Sequence, residues 1–138
     1  MARLFRTSLT LLFIAGSLVA QTADPQPDAN GIYHLGNGIV VPQCIHKAVP
    51  ETTEEARKRK TSGIALVRIV VEPDGTVGSA QIIKSVAEAY KNKEDHDAAL
   101  TLDAKAIDAA RQYRFEPTIV KGKPVALELK IEISFQFT

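Results

Sequence analysis

The plainest pattern in the chain lies at its C-terminal end. Val125, Leu127, Leu129, Ile131, Ile133, Phe135 and Phe137 hold every second position, with Ala126, Glu128, Lys130, Glu132, Ser134 and Gln136 between them. A period of two places the two sets on opposite faces of a strand, so a long strand with one buried face is expected there. A second alternating run, Ala65, Val67, Ile69 and Val71, has Arg68 and Glu72 on its other face. Pro73-Asp74-Gly75 follows it. Proline presets φ, aspartate tolerates a corner and glycine takes positive φ, so a hairpin turn is expected, with Val77–Lys84 returning as the partner strand.

The period changes to that of a helix at Leu102, Ala106, Ala109 or Ala110, and Tyr113. This predicts a helix over 102–113, ending in the "RQYRFEP" corner before Pro117. Tyr113 and Phe115 are expected to anchor that corner in the core. Arg111 and Arg114 are expected near the last helical carbonyls, where cations are favoured. Thr52 and Glu55 have capping-box spacing, which predicts a short helix over "TTEEARKRK", with Gly63 ending the turn after it. Residues 86–101 are charged and read as a mostly exposed connection. The order helix, strand, strand, helix, strand implies an α+β fold: a small antiparallel three-stranded sheet, hairpin plus C-terminal strand, with two helices packed on one face. The last strand should lie beside the first strand of the hairpin. Since the sequence stops soon after, its other side is expected to be open.

Composition narrows the function classes. A hydrophobic share of 45% and a charged share of 24% are those of a globular chain. A formal charge of +1 draws the protein to neither nucleic acid nor an anionic membrane. The first 20 residues differ from the rest. Arg3 and Arg6 precede an uncharged apolar run from Leu9 to Ala20, which predicts a signal peptide over 1–20, cleaved after Ala20. An uncleaved anchor is the alternative, and the only route by which a membrane would be involved. Residues 21–41 read as a linker and an extended segment, and 42–138 as the folded domain.

Candidate chemistry is sparse. Cys44 is the sole cysteine, so no internal disulfide can form. It stands near His46, while His96 sits between Asp95 and Asp97. Neither arrangement has a third orienting group or a glycine-rich oxyanion turn in sequence, and no second histidine stands at ligand spacing. No enzyme activity, cofactor or metal is expected, and no nucleic-acid partner.

Four segments in order, over residues 42–138, carry a resemblance. They are "PQCIHKAVPETTEEARKRKTSG", with Pro50, Ala56, Arg57 and Gly63; the hairpin with Pro73, Asp74 and Gly75; "LDAKAIDAARQYRFEP", with Tyr113, Arg114, Phe115 and Pro117; and "GKPV" followed by alternating apolar residues. Together they resemble the C-terminal domain of TonB-type energy transducers, a TonB/TolA C-terminal-like fold. The chain departs from that pattern at Thr52-Thr53, where the family has Tyr-Pro, and at Tyr113, where tryptophan is usual. The resemblance implies a periplasmic protein–protein interaction module. Its partner would be an outer-membrane transporter or another envelope protein, bound by strand addition. On this chain the pairing strand would be Leu127, Glu128, Leu129, Lys130, Ile131, Glu132, Ile133, Ser134 and Phe135. A contribution to energy-dependent transport goes with that reading. The alternative is a released module that self-associates as a homodimer through the same edge, or binds a non-transporter partner.

Overall fold

The computed structural model describes Gly16 and residues 24–136. The expected signal peptide, Gly16 apart, and Phe137 lie outside the described residues. The elements in chain order are β1 (Ile32–Tyr33), β2 (Cys44–His46), α1 (Glu54–Arg59), β3 (Gly63–Val71), β4 (Val77–Lys84), α2 (Lys93–Leu100), α3 (Leu102–Arg111), β5 (Arg114–Phe115), β6 (Thr118–Val120) and β7 (Lys123–Phe135). A single turn of 3-10 helix covers Val86–Ala89.

The expected α+β class and the β3–β4 hairpin are present, and β7 pairs antiparallel with β3 from Gly63↔Phe135 to Val71↔Leu127. The sheet itself is larger than the three strands expected. It has five strands and is mixed, in the order β1-β7-β3-β4, with β6 also paired to β7. β1 is parallel to β7 and β6 antiparallel to it. A separate two-stranded piece joins β2 to β5. The additions are two or three residues long, too short to show any period, and tertiary pairing alone creates them.

The alternation places the core. Ala65, Val67, Ile69 and Val71 of β3 are all buried, as are Leu127, Leu129, Ile133 and Phe135 of β7. Apart from the small Ala65, each such side chain contributes roughly 1.5–3 kcal/mol when fully removed from water. α3 covers this face with Leu102, Ala106, Ala109 and Ala110, all buried, followed by Tyr113. Alanine on the contact stripe lets the helix lie close to the sheet.

Three local expectations need correction. The cap of α1 is Thr53, not Thr52: its hydroxyl accepts from the Ala56 N–H at 3.1 Å. The helix ends at Lys60, in the left-handed region at φ 52, rather than at Gly63, which opens β3. The Thr61 N–H then bonds back to the Ala56 carbonyl at 3.0 Å, the closure of a left-handed helix end. Residues 86–101 are mostly helical. Asn92 caps α2 by accepting from the Asp95 N–H at 2.7 Å, and Ala98 and Ala99 are buried. Arg59 reaches Asp95 at 2.8 Å, tying α2 to α1. Tyr90 holds the connection by exchanging hydrogen bonds with the Ser62 amide and carbonyl, at 2.8 and 2.9 Å.

Candidate functional site: the outer edge of the C-terminal strand

β7 has β3 along one side for nine consecutive residue pairs with no register shift. Its other side divides in two. β6 folds back on Lys123, Pro124 and Val125, a hairpin closed by Lys121 and Gly122 at positive φ. β1 then pairs with Ala126 and Leu127. From Glu128 to Phe135 no strand among the described residues pairs with that side. The open stretch spans about 26 Å at ~3.3 Å per residue. Along it, alternate residues turn an N–H and a C=O outward.

Of the nine residues expected to meet a partner, Leu127 therefore has Tyr33 beside it. The other eight, Glu128 to Phe135, form the open stretch. Glu128, Lys130 and Glu132 stand on the face of the sheet away from the helices, giving alternating charge next to the edge. Glu128 has neighbours of its own. Its carboxylate lies 3.0 Å from His34 Nδ1 and 3.5 Å from Arg68 Nε. On the helical face a groove of about 400 Å³ runs beside the last part of the edge. Ile133 and Phe135 form one wall, Val49 and Pro50 the other, and Tyr113 contributes from the core side. Val49 is 88% exposed, so this wall is apolar and unshielded.

The hairpin turn and the arginine-rich corner, far apart in sequence, meet. The Phe115 N–H donates to the Gly75 carbonyl at 2.9 Å, and Thr76 bridges to Arg114. Gly75 has φ +88, and a Cβ there would run into the Phe115 carbonyl. Only glycine satisfies both conditions. Asp74 closes the turn by accepting from the Thr76 N–H and hydroxyl at 3.0 and 2.7 Å; these bonds hold its carboxyl below the usual aspartate range. Arg114 Nη1 donates to the carbonyls of Arg111 and Tyr113, at 3.1 and 2.8 Å. Tyr113 and Phe115 are buried with ring centroids 6.2 Å apart. Ala56 is the buried residue of α1, while Arg57 and Pro117 are exposed and Pro50 is half-buried. Of these residues only Pro50 and Tyr113 line the groove at the edge.

The other candidates stand apart from the edge. Cys44 and His46 are exposed on β2, and the thiol donates to the His46 carbonyl at 3.3 Å. His96 lies on α2, 3.7 Å from Asp97. Among the described residues no three histidine, cysteine or acidic side chains converge as metal ligands. No helix among them is long and apolar enough to cross a membrane. Sequence reasoning missed β1 and the His34 contacts, whose one available signal was Asp28 followed by Asn30-Gly31, a turn signature.

Comparison with known proteins adds a family. The family model described as the Gram-negative bacterial TonB protein C-terminal matches residues 53–137. The solution NMR structure of the Pseudomonas aeruginosa TonB C-terminal domain is similar, with 20% identity and a TM-score of 0.45, over 76% of this chain and 95% of that one. No curated protein matches the chain. The family match runs from the cap of α1 through the whole of β7, and so includes the hairpin, the corner and the open edge. The chain belongs to the TonB C-terminal family.

Proposed function

We propose that this protein is a periplasmic interaction module that binds a short extended segment of an outer-membrane transporter, or of another envelope protein, along Glu128–Phe135. The carrying observation is that β7 has a regular ladder on one side and, over those eight residues, no described strand on the other. An unpaired border of this kind is a template for one more strand. Main-chain bonds supply the affinity. The alternating charges of Glu128, Lys130 and Glu132 select a complementary strand on one face. On the other face, an apolar side chain of the incoming strand enters the groove between Val49 and Ile133. Membership of the TonB family supports an envelope role, and with it a contribution to energy-dependent transport.

A photoreactive residue in place of Glu132 tests the reading in intact cells. The expected product is a crosslink to an outer-membrane protein, lost when an equivalent residue replaces Lys84 on the opposite border. Crosslinks only between copies of this chain would favour self-association through the edge instead. An absence of any edge-specific product would end the proposal.

A further inference from the structure

The segment before residue 53 lies outside the family match, yet part of it sits on the site. β1 occupies the same border of β7, parallel to it, with Ile32 beside Ala126 and Tyr33 beside Leu127. Its approach is folded around Asp28. That carboxylate accepts from the Asn30 and Ile32 amides at 2.8 and 3.1 Å, and the Asp28 N–H reaches the Ile32 carbonyl at 2.8 Å. Tyr33 packs against the core. Immediately after β1, His34 spans two carboxylates: Nε2 is 2.9 Å from Asp28 Oδ2, and Nδ1 is 3.0 Å from Glu128 Oε2. Glu128 is the first residue of the open stretch, so the segment ends where the free edge begins and is fastened to its first side chain.

The chemistry of that fastening is specific. A neutral imidazole has one N–H, and only the imidazolium donates from both nitrogens. Two carboxylates, one on each nitrogen, therefore make a bridge that only the charged ring completes. The groups facing His34 are Asp28 from its own segment and Glu128 from β7, with Arg68 of β3 behind Glu128.

We propose that residues 28–35 form a proton-fastened strap, docked more firmly on β7 while His34 is charged and more often open when it is not, which sets the length of edge available to a partner. Docked, the strap limits an incoming strand to Glu128–Phe135. Released, it frees Ala126 and Leu127 as well, so the available border lengthens toward the β6 hairpin. The strap's regulatory meaning rests on the strand-addition reading above; its docking does not.

The direction with pH follows from the partners. The hydrogen bond to Asp28 raises the His34 pKa above its ordinary value, so the strap's stabilisation is complete below 6.5 and fades as pH rises through the raised value. The bond to His34 lowers the Asp28 pKa, so its share is complete above 3.8 and fades as pH falls through the lowered value. Docking is thus firmest between those ordinary values and loosens as pH rises through the raised His34 value. All three side chains are partly exposed, so the effect is moderate and weakens with salt.

Solution NMR of the whole chain tests this. As pH is raised from below 6.5 through the titration of His34, the population with a Tyr33–Leu127 cross-strand contact should fall, with its docking constant changing by up to roughly fivefold. The change should follow the titration of the His34 ring. His34→Gln should abolish the pH dependence and hold the strap at the loosened level, and Asp28→Asn should weaken docking at pH 6. Neither exposed substitution touches the core. A Tyr33–Leu127 contact indifferent to pH and to His34→Gln would overturn the strap, as would a contact that appears only as protein concentration rises. A failed Glu132 crosslink would leave these outcomes unchanged, so the two proposals fail separately.

Discussion

The sheet has two outer borders, β7 and β4, and they are built differently. β7 matches β3 residue for residue over nine pairs. β4 does not. Its register shifts between Leu66↔Lys84 and Val67↔Ile82, and again between Val70↔Ser79 and Val71↔Val77. Both shifts leave an extra residue on β4, Ile83 and Gly78. Bulges bend a strand, increase its twist and interrupt the run of outward N–H and C=O groups. The entry to β4 is also engaged, through Gly75 with Phe115 and Thr76 with Arg114. Two uncovered borders are therefore not alike. The β4 border is blunted by its own backbone, whereas β7 keeps a regular run of outward N–H and C=O groups from Glu128 to Phe135.

The comparison can be broken most forcefully from beneath. Ile133, 1% exposed, supports the open half of β7, whereas Ile82 is its half-buried counterpart on β4. Ile133→Ala should cost about 2–5 kcal/mol by chemical denaturation. Ile82→Ala should cost clearly less, because the water-exposed part of its side chain loses nothing. Equal costs would mean that the two borders rest on the core alike.

A somewhat smaller effect is expected where β4 begins. Gly75→Ala meets both an unfavourable positive φ and the Phe115 carbonyl. A loss of at least about 1–3 kcal/mol should follow, together with a weakened Phe115–Gly75 hydrogen bond measurable by amide exchange. A neutral result would show that the corner does not brace the hairpin.

The smallest effects separate the borders by charge. Lys130→Glu turns the face beside the open edge uniformly acidic, and Lys84→Glu makes the same change on β4. Both should leave stability within about 0.5 kcal/mol. Only Lys130→Glu should alter the yield of the Glu132 crosslink, by an amount equivalent to ~0.2–1 kcal/mol. An equal response from Lys84→Glu would erase the distinction.

How much of this was legible beforehand depends on length and period. β3, β4 and β7 announce themselves through alternation, and α3 through Leu102, Ala106, Ala110 and Tyr113. Their packing follows, because one buried face admits few arrangements. β1, β5 and β6 are invisible because two or three residues carry no period. α2 was hidden by its charge: Lys93, Glu94 and Asp97 face water, Asp95 is half-buried against Arg59, and the buried apolar side is only Ala98 and Ala99. The Asn92 cap was its legible signal. The edge was inferable from the position of β7, but its division was not. That division depends on β6 and β1 folding back, and the His34 bridge joins residues distant in sequence.

The open half of β7 is directly measurable by amide hydrogen exchange along that strand. Between Glu128 and Phe135, outward-facing amides should exchange nearly as fast as unprotected ones, while their alternates, bonded to β3, exchange slowly. From Lys123 to Leu127 both sets of amides that have a partner should be slow. Uniformly slow exchange from Glu128 to Phe135 in the isolated chain would mean that the border is already filled, and would contradict the account.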